Sequence, residues 1–538
     1  MNRNSTNFFA QEATIDIPRA KWETNHNHKT TFNNGWLVPF FVDTDIIPGM
    51  TIKNKTAVLI RMSTPKYPVM DNLFLDTYYF KIPIWTIWPT FKQFMGENED
   101  GAWANTVDYQ IPMFKTTSTQ KVTVNDTNCY MGIPLGIAGL SFNQFGVRAL
   151  IRTYNFWFRD QNLIAPVKYN DGDDDIELDG TIKTGCGVLK VAKFHDYFTS
   201  LLPQPQKGDA VSLPIGTKAP VYGEENVAAK IKMNTTEGTW ASTANLGGVG
   251  WGFMGVPSTQ AQKVNIINKG AASETTVYAD LSAAVSATIN AQRLAFATQR
   301  ILEKEARFGT RYNEIIRGQF GVSSPNASLH VPEYLGGNRI PINIETVLQN
   351  SNTTTESPLG QTGAFSVSFD VNDDFTKSFD EHCVLLGVCC VRAEHTYQEG
   401  LARMWTRRRK LDYYTPSLAH IGNQPVYNYE IYAQGTAVDN EVFGYKEAWA
   451  EYKYKPDRIS GELLSTYAQS LDAWHYGDDY SSLPVLSQNF IEEPTEFVDR
   501  TLLVQAAQAN QFIADFEIHQ EVAAPIPLHC TPGLIDHY

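Results

Sequence analysis

Hydrophobic and polar positions alternate cleanly from Phe512 to His519. Phe512, Ala514, Phe516 and Ile518 fall on one side, and Ile513, Asp515, Glu517 and His519 on the other, the pattern of a half-buried strand. Cys383 to Val391 is instead a short continuous apolar run beside polar residues, which predicts a strand covered on both faces. Trp36 to Val42 and Leu73 to Phe80 are rich in aromatic and aliphatic residues and end at turn formers, so they also read as strands. Pro39 removes a ladder donor and predicts an edge position or a bulge. Connections rich in Pro, Gly, Asn and Asp hold these strands far apart. That spacing fits a Greek-key or jelly-roll sandwich with enlarged loops rather than a meander.

Two stretches follow the helical period. Phe145 to Asn162 carries Phe145, Ala149, Ile151, Tyr154, Phe156 and Phe158, an apolar band broad enough to be mostly covered. In the second, Asp280 can cap a helix beginning at Leu281. Leu281, Val285 and Ile289 recur at four-residue spacing and Phe296 follows. Arg300, Lys304 and Arg307 occupy the last turns, where the helix dipole favours cations, and Gly309 can stop the helix. Both helices read as packing elements without chemistry.

Gln398 to Pro456 fits neither period. It is crowded with aromatic and charged residues, whereas disordered segments are poor in aromatics. Loops of this length are usually functional or disordered. The segment is therefore expected to be irregular polypeptide ordered by contact with other surfaces, including other copies of the chain. Gly223 to Thr276 is a second departure, rich in Gly, Ser, Thr and Ala, with Trp240, Trp251 and Phe253 as large aromatics. Those side chains are costly to leave in water, which weighs against a plain solvated loop.

Charge narrows the function. The chain has 538 residues, 44 of them basic and 58 acidic, for a formal net charge of -14. Wholesale wrapping of nucleic acid needs concentrated Lys and Arg, and Arg3, Arg19 and Lys21 are isolated near the N-terminus. No apolar run approaches the roughly 20 residues that span a bilayer. MNRNSTNFFAQEA lacks the apolar stretch of a signal peptide, so accumulation in the cytosol of the producing cell is expected. The six cysteines, Cys129, Cys186, Cys383, Cys389, Cys390 and Cys530, match no zinc spacing. Buried free thiols are expected, with adjacent Cys389 and Cys390 on opposite faces of a strand.

Candidate chemistry is sparse. Asp171, Asp173, Asp175, Glu177 and Asp179 alternate as in a calcium loop, but Ile176 stands where that loop needs Gly. A solvated acidic turn is the expectation. His26 and His28 could present two imidazoles on one face if their stretch is a strand, but no third ligand is in view, and His195-Asp196 has no recognisable nucleophile. Neither a nucleophile elbow nor a phosphate-cradling glycine loop is present. No cofactor and no catalytic activity are expected. The densest basic cluster is Arg403, Arg407, Arg408, Arg409 and Lys410, interleaved with Trp405, Tyr413 and Tyr414. Such a cluster suits single-stranded nucleic acid, where bases stack and phosphates pair. It equally suits pairing with acidic neighbours at a subunit interface.

A family resemblance accompanies these readings. HKTTFNNGWLVPFFVDTDIIPGMT (28 to 51), MDNLFLDTYYFKIP (70 to 83), FGVRALIRTYNFWFRDQNL (145 to 163), HDYFTSLLPQPQKGDAVSLPIGTKAPV (195 to 221), YADLSAA, FGTRYNEIIRGQFGVSSPNASLHVPEYLGG, the Gln398 to Pro456 segment and the closing PGLIDHY resemble, in order, the major capsid protein of the gokushoviruses, the F protein/VP1 family of the Microviridae. The resemblance implies a mainly β fold: one eight-stranded antiparallel jelly roll of viral capsid type, with long insertion loops and a few helices, spanning residues 1–538. It implies sixty copies in a T=1 icosahedral shell around a circular single-stranded DNA genome. A small basic DNA-binding phage protein would be a partner. The 223–276 insertion would form a threefold protrusion that meets a receptor on the bacterial host surface. From the residues alone, a carbohydrate-binding or carbohydrate-active β-sandwich protein remains the alternative.

Overall fold

The computed structural model describes residues 19–98, 109–209, 211, the paired strands between 221 and 279, and 289–309, 311–325, 329–350, 360 and 362–529. The chain divides into two compact units, Gln206–Lys304 and the remainder.

Among the described residues, the larger unit is built on eight long strands: β1 (Ala20–Phe32), β2 (Trp36–Ile46), β3 (Thr51–Met62), β4 (Leu73–Pro83), β5 (Glu333–Pro341), β6 (Ser368–Ser378), β7 (Cys383–Ala393) and β8 (Phe512–Ala524). One sheet has the order β1-β8-β3-β6 and the other β5-β4-β7-β2, the latter extended by the short strand Leu189–Lys190. All these pairings are antiparallel, and β1 joins β8, β2 joins β7, β3 joins β6 and β4 joins β5. This nesting of first with last is a long hairpin rolled into two layers, the jelly roll.

Alternation along the strands fills the space between the sheets. Phe40 of β2 stacks on Phe516 of β8 at 4.5 Å, and Tyr79 of β4 meets Phe40 edge-on at 5.4 Å. The Tyr79 hydroxyl lies 2.7 Å from Thr56 Oγ1, and Asn54 donates to Asp374 at 2.8 Å, so the polar atoms buried there are paired. β7 is buried along nearly its whole length. Cys389 faces the inter-sheet core, and Cys390 faces a second core made by Trp88, Phe145, Ala149 and Leu150. Pro39 sits at a register shift, because Phe41 opposes Gly387 while Pro39 opposes Val388. It lies beyond the two β2 residues that pair with Leu189–Lys190, as an edge or bulge proline should.

Helix α1 (Phe145–Thr153) supplies the second core. It widens over Tyr154–Phe158 and ends there, short of the Asn162 expected from periodicity. Arg159 is extended, and the Asp160 carboxylate accepts the N–H groups of Asn162 and Leu163, so a side-chain turn replaces the last helical turn. Arg148 is buried within α1 and donates to Gln144, Ile87 O and Gly172 O. Burial pulls its pKa down to about 10. The acidic stretch is tied down rather than merely solvated: Asp173 accepts from Trp88 at 2.6 Å, and Asp175 pairs with Lys115 at 2.8 Å. His26 and His28 of β1 oppose Ile518 and Phe516, and no metal-holding cluster occurs among the described residues.

In the smaller unit, Lys230–Thr236 is the middle strand of a three-stranded antiparallel sheet, between Thr239–Asn245 and Val264–Ile267. Val221–Gly223 pairs with Val277–Ala279, placing Tyr222 opposite Tyr278, so the ends of the intervening segment are brought together. The expected helix start at Leu281 lies outside the described residues. Helix α2 is described over Ile289–Phe308 and runs from this unit into the larger one after Lys304; Gly309 follows at φ 93°, the left-handed conformation that ends helices.

Candidate assembly and nucleic-acid interface

The segment Gln398 to Pro456 does not depend wholly on other molecules for its order. Asn423–Tyr427 and Val442–Glu447 pair as an antiparallel hairpin. Val426, Ile431 and Phe443 join Tyr197, Phe198, Leu201, Phe490 and Ile491 in a core of their own. The expectation from sequence is corrected here. The apolar partners come from distant stretches of the same chain, around residues 197–202 and 490–491 (Leu202 bonds Tyr445 in both directions at 2.8 Å), and local periodicity cannot display such partners.

Leu401 to Ile421 is tied to the same chain, with the Leu401 N–H donating to Tyr429 O and Trp449 to Leu418 O, yet it keeps large side chains in water. Trp405 is 69% exposed and Leu411 72%, with Met404, Tyr413 and Tyr414 also outside. The five basic residues of this stretch separate into two groups. Arg403 and Arg407 turn inward. Arg407 pairs with Glu451 at 3.1 Å and lies 4.3 Å from the Tyr452 ring. Arg403 lies 3.8 Å from Glu430 and 3.9 Å from Glu451, and donates to Pro425 O at 2.8 Å. Burial opposes the charge on Arg403, but Glu430 and Glu451 outweigh it and its pKa rises. Arg408, Arg409 and Lys410 are exposed. The backbone N–H groups of Arg408 and Arg409 both donate to Asp412, at 2.8 and 2.7 Å, and hold its carboxyl below the usual range. The loop is thereby fixed with three cations outward. Beside it lies a groove of about 830 Å³ walled by Trp405, Arg407, Arg408, Leu411, Tyr427 and Trp449. Exposed cations beside aromatic surface can take either phosphate and base or an acidic, apolar protein face.

Of the aromatics singled out in the insertion, Trp240 lies in the strand Thr239–Asn245. Trp251 and Phe253 lie outside the described residues.

Two charged clusters escape sequence reading. His395 is buried between Asp478 at 2.8 Å and Glu493 at 2.9 Å, with Lys193 3.5 Å from Asp478. Burial opposes the imidazolium, but Glu493 and Asp478 overcome it and raise the His395 pKa to about 9. Asn34 donates to Glu493 at 2.8 Å, and Tyr480 to Asp478 at 2.7 Å. Asp76 takes Arg339 at 2.7 Å and Arg392 at 2.5 Å, and the two guanidinium groups lie 4.5 and 4.2 Å from the Phe194 ring. These clusters fasten the long connections to the ends of β4, β5 and β7. None presents a nucleophile with an aligned base.

Comparison with known proteins accounts for a site made of surface rather than reactive groups. The family model described as "Capsid protein (F protein)" matches residues 10–534. The chain belongs to this capsid protein family. It is similar to the capsid protein VP1 of Bdellovibrio phage phiMH2K, at 36% identity over 100% of this chain and 99% of the relative. It is also similar to VP1 of Chlamydia phage 1, at 34% over 98% of both, and to VP1 of Spiroplasma virus 4, at 36% over 96% of both. It is therefore a structural component of a microvirus virion, not an enzyme, and the carbohydrate alternative falls away. Among the described residues no helix is long and apolar enough to cross a membrane. Membership in the capsid family makes self-association the activity to be explained.

Proposed function

We propose that sixty copies of this chain close into a T=1 icosahedral shell around a circular single-stranded DNA genome. The jelly roll forms the wall, and the long connections form the contacts between subunits. The observation that carries this reading is the exposed stretch from Leu401 to Ile421: large apolar side chains held outward on a fixed loop, in a chain that matches capsid proteins from end to end. Burying such surface against a neighbour removes it from water. Closed symmetry lets many modest contacts act together, so each can stay weak and errors stay reversible. With a net charge of -14, the chain leaves most phosphate neutralisation to cations and to a small basic phage protein. The 223–276 insertion, whose ends are paired at Tyr222 and Tyr278, is proposed as the threefold protrusion that contacts the host surface, with Trp240, Trp251 and Phe253 as its contact residues.

Electron microscopy of the expressed chain, with and without its basic partner, tests the shell. Uniform closed particles are expected, and a chain that remains monomeric under all assembly conditions would overturn the reading. Charge reversal at Arg408 decides what the basic loop meets. Particles that assemble but stay empty of DNA assign Arg408 to the genome, whereas unassembled subunits assign it to the neighbouring copy.

A further inference from the structure

Helix α2 turns its apolar stripe outward. Leu294 is 68% exposed, Ile301 47% and Phe308 50%, and these residues are spaced seven apart, with Ala297 between the first two. Positions 294, 297, 301, 304 and 308 follow the three- and four-residue spacing of a coiled-coil seam. The other side carries Ala295, Leu302 and Ala306, all less exposed, together with Gln299, which donates to Glu303 at 2.9 Å. The amphipathic helix thus leaves Leu294 and Ile301 of its seam largely in water and covers Phe308 only in part, against Gly318, contrary to the usual placement of such a stripe.

The residues flanking the seam say what covers it. Arg293, Arg300 and Arg307 precede the three seam residues, each by one position, so one edge of the seam is wholly cationic. The opposite edge carries Thr298 and Glu305. Two such helices packed antiparallel would place arginine edge against arginine edge. Packed in parallel, the cationic edge of one faces the other edge of the next. There, each edge residue meets the residue five positions further on in its neighbour, which sets Arg300 against Glu305. We propose that α2 packs in parallel against the α2 helices of other copies of this chain, around a rotation axis of the assembled particle. The occupant is a second copy because the seam needs a partner of matching repeat and complementary edges, and this helix provides both to itself. Lys304 falls on the seam, and a single lysine there lowers the affinity while fixing the register. A contact of modest strength suits a shell whose subunits must correct errors.

This inference rests on the shell reading, and cysteine cross-linking separates the two. Full-length I301C and, as control, F296C are assembled and then oxidised. Phe296 is 63% exposed but lies off the seam. I301C is expected to cross-link between copies within intact particles, while F296C and the wild-type chain do not. Three helices round an axis leave about one third of the chains uncoupled, because each copy has one new thiol, whereas two helices leave almost none. Particles that form normally but in which I301C stays uncoupled, or F296C couples equally well, overturn the helix contact alone. A wild-type chain that forms no particles overturns the shell reading and this contact with it. L294E with I301E is expected to block closure while circular dichroism shows the subunit still folded. Normal particles from that variant also overturn the proposal.

Discussion

His395 is a cation held between two carboxylates with almost no water. When protonated, both ring nitrogens donate, one to Asp478 and one to Glu493. Its pKa is raised from 6.5 to about 9, so its contribution to stability is complete below about pH 6.5 and is lost as the pH rises through about 9. Thermal melts across that window are expected to show a falling melting temperature for the wild-type chain and a flatter profile for H395Q. At neutral pH, H395Q should cost about 3–5 kcal/mol, because buried Glu493 loses its cation and Asp478 keeps only Lys193. A variant with the wild-type slope would show that the titrating group lies elsewhere. Nothing in the sequence around His395 announces this cluster, because its partners lie 83 and 98 positions away. The basic cluster shows the same limit. Five cations are plain in the sequence, but the inward turn of Arg403 and Arg407 depends on Glu430 and Glu451, which only the folded hairpin brings near.

At the level of single elements, legibility follows periodicity. β7 and β8 were readable because one is uniformly apolar and the other alternates strictly. β1 was not readable from pattern: NHNHKTT gives no apolar face, and its strand state comes from thirteen-residue pairing with β8. α1 was legible in its covered face and not in its end, which a side-chain turn decides. β7 also yields a direct test. Cys389 and Cys390 are buried on opposite faces, and burial raises both thiol pKa values, that of Cys390 to about 12. Thiol reagents at neutral pH are expected to leave both unmodified in the native chain and to reach both on denaturation. Labelling of either by mass spectrometry under native conditions would show that β7 opens locally.

For the whole molecule, the decisive feature is non-local pairing. The register of β1 with β8 sets Ala20 against Ala524, and β8 also pairs with β3 from Phe512 to Ala523. The last long strand is thus an interior member of its sheet. A chain ending before Phe512 is expected to be insoluble rather than slightly destabilised, as sedimentation of expressed protein would show. Loss of an interior strand exposes the edges of β1 and β3 and strips the apolar cover from Phe40. Soluble, folded material from that truncation would mean that the two sheets hold without their central bridge.

That placement has a consequence for the timing of virus production. Until β8 has left the ribosome, β1 has no strand partner in its sheet and β3 is paired on its β6 side alone. A nascent or prematurely terminated chain therefore offers no finished wall to its siblings. Translation through β8 becomes a condition of entry into the particle, set by the strand order.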